Sequence, residues 1–138
     1  MSQADPERFE LLLADLARVV DRLELALQRT DQEFAADSAL LHFNLAFEVS
    51  WKLLKLDAAR AGVVAPTPRA AFRHGLQAGL IADEAAFERI LRQRNDAVHL
   101  YRASMAQALL QELPAFHAAF AGLVVSISAR RHDGMEPS

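Results

Sequence analysis

The densest set of reactive side chains in this chain lies in eight residues, Arg94-Asn95-Asp96-Ala97-Val98-His99-Leu100-Tyr101. A permanent cation, a carboxamide, a carboxylate, an imidazole and a phenol stand together there, flanked by Arg89, Arg92 and Arg102. Such a set suits a phosphodiester. A guanidinium grips phosphate through paired hydrogen bonds. An imidazole titrating near neutrality can move the proton of a 2′-hydroxyl or of a leaving group. On a regular helix Asn95, His99 and Arg102 share one face at i, i+4 and i+7. Arg94 precedes His99 by five residues and points about 140° away from it. One straight helix therefore cannot aim both at a single atom. They converge if the helix bends, if Arg94 reaches around, or if a second subunit meets the first across a two-fold axis. The competing reading is structural: Arg94 pairs with Asp96 or Glu88, and His99 caps a helix end. Spacing alone leaves both standing.

Other chemistries find no footing. The chain has no cysteine, so it holds neither a disulfide framework nor a thiolate metal site. His42, His74, His99, His117 and His132 form no i,i+4 pair with an accompanying carboxylate pattern, and we expect no metal and no cofactor. There is no phosphate-cradling glycine loop; Gly75 and Gly79 fit helix packing or a helix end better. No serine stands in a nucleophile elbow. Glu48 and Lys52 read as an exposed i,i+4 pair, and Trp51 reads as core.

Charge is uneven along the chain. The net formal charge is −3, which argues against a general nucleic-acid coat. Residues 1–59 are acidic on balance and 103–138 slightly so, whereas residues 60–102 carry 7 arginines against 4 acids. An anionic ligand would sit most naturally in that middle third, although a solvated helical face gives the same count.

The elements that must position these residues are helical. Hydrophobic residues make up 52% of the 138 and charged residues 24%, with alanine and leucine dominant and only five glycines and five prolines. The first helix runs from about Phe9 to Arg29, with Asp5-Pro6 at its start. Thr30 to Asp37 is a polar connector. The second, from about Ser38 to Ala61, ends at Gly62 and bears two apolar stripes. Leu40, Phe43, Phe47, Trp51, Leu54 and Ala58 form one; Leu41, Leu45, Val49, Leu53 and Leu56 form the other. A helix apolar on two faces is buried at the centre of a bundle or by a partner subunit. Thr67-Pro68 starts a third helix, which stops at Gly79. Asp83 caps a fourth, with Phe87, Ile90, Leu91 and Val98 inward, ending or bending near residues 99–102. A fifth begins near Ser104, with Pro114 kinking it or starting a new helix. Residues 130–138 read as a frayed tail. Leu113 to Ala129 is apolar but short and interrupted by His117, so it reads as a core helix. The acid-bearing stretch from Met1 to Glu10 lacks the apolar centre of a signal peptide, and we expect a cytoplasmic protein that makes no use of a membrane.

Three patterns carry a family resemblance: first Arg94-Asn95-x3-His99-x-Tyr101, and ahead of it in the chain Phe43-x3-Phe47-Glu48-x2-Trp51-Lys52-x-Leu54-Lys55 and Pro68-Arg69 followed by Ala78-Gly79-Leu80-Ile81 and Asp83. Together they resemble the HEPN superfamily of small helical domains, and within it the nucleotidyltransferase substrate-binding proteins. The likeness spans about residues 8–128. Two departures stand out: Asn44 where an acid is expected, and Phe87 or a neighbour where a tryptophan usually precedes the motif.

The resemblance implies an all-α, up-and-down bundle of four or five helices, one domain over residues 1–138, forming a homodimer. It implies a small nucleotidyltransferase partner and RNA or a nucleotide as ligand. In the toxin–antitoxin-type form it implies a metal-independent ribonuclease whose two motifs face a shared cleft. By position, Arg94 would bind the scissile phosphate, His99 would act as general acid and base, and Asn95 would orient. Tyr101 would be the site the partner adenylylates, with Arg92 and Arg102 as further phosphate contacts. The alternative is a non-catalytic subunit that presents nucleotide or substrate to the transferase.

Overall fold

The computed structural model describes residues 5–29, 34–95 and 103–135, and side chains at 6–29, 34–94 and 107–131. Five helices account for nearly all of it: α1 (Asp5–Gln28), α2 (Ala35–Arg60), α3 (Pro68–Gln77), α4 (Glu84–Asn95) and α5 (Ala103–Met135). No strand occurs among the described residues.

Local chemistry explains most of the boundaries. The Thr67 side chain accepts from the Ala70 amide at 3.2 Å ahead of Pro68, and Asp83 accepts from the Ala86 amide at 3.0 Å. Gly79 ends α3 with φ +77°, a left-handed conformation that any Cβ would strain. Gly75 serves packing instead: a Cβ there would lie 2.9 Å from Ile81 Cδ1 and 3.2 Å from Leu54 Cδ1. Helix α2 starts at Ala35, a little before the expected Ser38, and Phe34 enters it at φ 71° with no side-chain cap.

Helix α5 departs more from expectation. It runs through Pro114 without a break. Pro114 lies on the exposed face, so the Leu110 carbonyl that loses its helical partner can turn to water. The expected frayed tail at 130–138 is helical as far as Met135, because Arg130 binds Asp57 and Arg131 binds Glu10. By length and composition, Gln107–Arg131 is the one helix among the described residues apolar enough to cross a membrane. Its stripe of Leu109, Leu113, Phe116, Phe120, Leu123 and Ile127 is buried in the core of the bundle.

Helix directions follow from the contacts. Arg60, at the end of α2, lies 4.8 Å from the ring of Phe9 near the start of α1, so these two are antiparallel. Phe43 stacks on Phe116 at 5.6 Å and Asp57 meets Arg130, so α2 and α5 run parallel. Phe87 meets Phe120 at 5.8 Å while Arg89 reaches back to Glu112, so α4 opposes α5. One chain of phenylalanines, Phe47–Phe72–Phe87–Phe120–Phe43–Phe116, passes through four helices with each successive pair of centroids 5.0–6.3 Å apart.

Helix α2 touches all four other helices. Its two apolar stripes are therefore largely explained by a central position. The outer end of the second stripe is not covered, since Leu41 and Leu45 remain 55% and 40% exposed.

A buried ionic knot ties the far end. Asp57 (α2) and His74 (α3) are only 6% and 8% exposed. Their Oδ2···Nε2 distance is 2.7 Å, and Arg130 (α5) binds both carboxylate oxygens. Burial alone would raise the Asp57 carboxyl, but hydrogen bonds and charge from Arg130 and His74 outweigh it and hold the group below its ordinary value. An ionised carboxylate can only accept, so Nε2 of His74 carries the proton. The unfolded chain, whose Asp titrates near about 3.9, binds more protons than the folded chain below that pH. This contribution to stability is therefore complete above about pH 4 and is lost as pH falls through the lower folded value. Asp57→Ala should cost about 3 kcal/mol in chemical denaturation, since it leaves the buried His74 unmatched and removes the acceptor of the partly exposed Arg130. It should also shrink the acid-side loss of stability that the wild-type chain shows.

Candidate functional site

Arg94 lies on the last turn of α4, on a side that faces α2. Its Nη2 donates to Glu48 Oε2 at 3.2 Å, and its guanidinium stands 5.4 Å from the centroid of the Phe47 ring. Glu48 binds more than one group. Its other oxygen, Oε1, accepts from the Trp51 indole Nε1 at 3.2 Å and lies 3.9 Å from Lys52 Nζ. Lys55 Nζ in turn sits 5.8 Å from the centroid of Trp51. The second and first of the three sequence patterns are thus joined in space by one carboxylate.

The structural alternative for Arg94 named Asp96 or Glu88 as its partner. Glu88 is engaged elsewhere, by Arg69 at 2.9 Å, and Asp96 lies outside the described residues. The pair Glu48–Lys52 does exist, but at 3.9 Å it is the weakest of the contacts Glu48 makes. Trp51 is half-buried at the edge of the core, with its polar nitrogen turned to Glu48.

Two atoms at this site lack partners. Arg94 Nε and Asn44 Oδ1 are buried without a hydrogen bond among the described residues. Asn44 is one turn before Glu48 on α2, so it lies on the same side of the helix. Buried polar atoms are ordinarily satisfied, and an unpaired nitrogen on Arg94, with an unpaired oxygen on the Glu48 side of α2, marks places where a further polar group fits. Only one of these two, Arg94, was legible in the sequence. Asn44 registered merely as a departure from the family pattern. Glu48 stood in the sequence as the partner of Lys52 and as a position of the second pattern, but nothing there marked it as the group that holds Arg94.

Arg92 is exposed on the last turn of α4. Asn95 is the last residue of α4, and its side chain is outside what is described. His99, Tyr101 and Arg102 lie outside the described residues, as does Val98, expected on the inner side of the same helix. The spacing Arg-x4-His also occurs at Arg69 and His74, where Arg69 pairs with Glu88 and His74 is bound to Asp57. That spacing by itself makes no site. Among the described residues no group of three His, Asp or Glu is placed to hold a metal ion.

The fold and this site together define an all-helical, five-helix bundle in which an arginine at the end of α4 is held by a carboxylate of α2. The family model described as "Nucleotidyltransferase substrate binding protein like" matches residues 7–128, and the chain belongs to that family. The family is associated with HEPN/nucleotidyltransferase toxin–antitoxin systems. Among the curated proteins none matches the chain.

Since Glu48 accepts from the Trp51 indole, Glu48→Ala should shift Trp51 emission to the red. Stability should change by less than about 1 kcal/mol, because the ion pairs involved are partly exposed. As the chain has a single tryptophan, a fluorescence spectrum reads this contact directly.

Proposed function

We propose that this chain is the HEPN-type partner of a small nucleotidyltransferase, and that it acts as a ribonuclease needing no metal. The observation that carries the reading is Arg94: a cation anchored through one nitrogen to Glu48, with a second nitrogen unpaired among the described residues, at the point where the Arg-x4-His-x-Tyr motif begins. Glu48 and the Phe47 ring fix the guanidinium, so a phosphate meets it without first ordering a long side chain.

In the reaction, Arg94, with Arg92 and Arg102 nearby in sequence, neutralises the scissile phosphate. His99 takes the proton of the 2′-hydroxyl, whose oxygen attacks the phosphorus. The bond from phosphorus to the 5′-oxygen breaks as a His99 imidazolium returns the proton to that oxygen, and a cyclic phosphate remains on the upstream fragment. Asn95 orients the phosphate or the imidazole. Because Arg94 and His99 diverge on one straight helix, the working site is a cleft between two copies of the chain. Tyr101 is where a partner transferase would attach a nucleotide and so block that cleft.

The second reading, a non-catalytic subunit that presents nucleotide to the transferase, draws on the same Arg94, already satisfied in part by Glu48. Purified wild-type protein should behave as a dimer in light scattering and cleave RNA in the presence of a chelator. Arg94→Ala and His99→Ala should each lower the rate by about 10²–10⁴-fold with the fold retained. Intact RNA together with Arg94-dependent nucleotide binding would establish the second reading instead.

A further inference from the structure

Of the 15 cationic side chains in the chain, all but Lys52 and Lys55 are arginine. Both lysines and the only tryptophan fall within five residues of α2, beside the carboxylate that holds Arg94. Glu48, Trp51, Lys52 and Lys55 are at i, i+3, i+4 and i+7, so they form one stripe along the helix. The stripe is about 10 Å long at 1.5 Å rise per residue.

Neither lysine has a structural task that calls for lysine. Lys52 stands 3.9 Å from an oxygen of Glu48 that already accepts from Trp51. Lys55 lies over the Trp51 ring, a position a planar guanidinium fills better. At both places an arginine would bind more firmly to Glu48 or the indole. An ammonium on a flexible stem is instead a mobile point charge, free to leave for a phosphate. Counting Arg94, Lys52 and Lys55 against Glu48, the stripe carries a surplus of positive charge. Its aromatic ring is half-buried rather than enclosed. Cations that follow a backbone, together with an aromatic face that accepts any base, are the means by which proteins hold unpaired nucleic-acid strands.

We propose that an unpaired RNA strand lies along this face of α2 on its way to Arg94. One base stacks on Trp51 in the place Lys55 now covers, and Lys52 and Lys55 move to the neighbouring phosphates. The assignment rests on the ribonuclease reading of Arg94 and adds the surface that feeds it.

The test uses the full-length protein and a dye-labelled 2′-O-methyl oligouridylate, which lacks the hydroxyl needed for cleavage, with binding read by anisotropy across a salt series. Single-strand binding loses about 0.7 in the slope of log K against log salt for each phosphate contact. Lys52→Gln combined with Lys55→Gln should therefore flatten the slope by about 1.4. Lys52→Arg with Lys55→Arg, whose guanidinium groups Glu48 and the indole hold more firmly, should flatten the slope too, but by less than the double glutamine variant. Trp51→Leu should weaken binding about tenfold with the slope unchanged. A wild-type slope and affinity in the double glutamine variant would overturn the proposal. So would absence of strand binding by the wild type, or uridine monophosphate binding as tightly as the strand with the same lysine dependence. The two readings fail separately. A strand bound through the lysines but never cleaved, in its 2′-hydroxyl form, counts against the ribonuclease and leaves this surface standing. Cleavage with unchanged KM after both lysines are removed counts against the surface alone.

Discussion

The bundle depends on one buried charge finding its partners. Asp57 lies on α2, the helix that all others pack against, and a lone carboxylate at that depth would cost several kcal/mol. It is tolerable only because His74 of α3 and Arg130 of α5 reach the same two oxygens. Two consecutive helices, α2 and α3, and the distant α5 are thereby brought into register at one end. The phenylalanine chain fills the space between them but is tolerant of small shifts; the ionic knot is not, because its bonds are directional. The end of α5 is helical, against the expectation of a frayed tail, for the same reason.

From that fixed end α2 extends to Glu48, whose role differs in kind. Asp57 is nearly closed off from water and serves cohesion. Glu48 is partly exposed, and it takes Arg94 and Trp51 with a lysine near, each from a different position on the two helices. Partly exposed pairs contribute little to stability. What such a carboxylate does well is hold several groups of the opposite sign in a set geometry at the surface. Cohesion and presentation are thus divided between two acids nine residues apart on one helix. The phase of an α-helix turns them to different sides.

Much of the fold could be read from residue order. Thr67-Pro68, Gly79 and Asp83 gave their helix boundaries because caps and stops are local, decided by a few neighbouring dihedrals and hydrogen bonds. The apolar stripes gave the inner faces for a related reason, since periodicity follows from 3.6 residues per turn. The uncapped start of α2 at Ala35 was missed, as Phe34 is no favoured cap and nothing local announces it. Pro114 could not be resolved between a kink and a new start. Its outcome turns on whether the neighbouring carbonyl faces water, which is a question of packing.

Of the site, the order of residues by itself determined the types and spacing around Arg94, and with the three ordered patterns the family to which the chain belongs. It also showed that one straight helix could not bring Arg94 and His99 to one point. Which acid holds Arg94 was decided only by tertiary structure. Asp96 and Glu88 were near in sequence, yet Glu48, 46 residues earlier, is the partner observed. Ion pairing depends on distance in space and on what each group already binds; Glu88 is taken by Arg69. The same is true of Trp51, which periodicity placed in the core. Packing of α2 against its neighbours left the indole at the edge, with its nitrogen on Glu48 and its ring beneath Lys55.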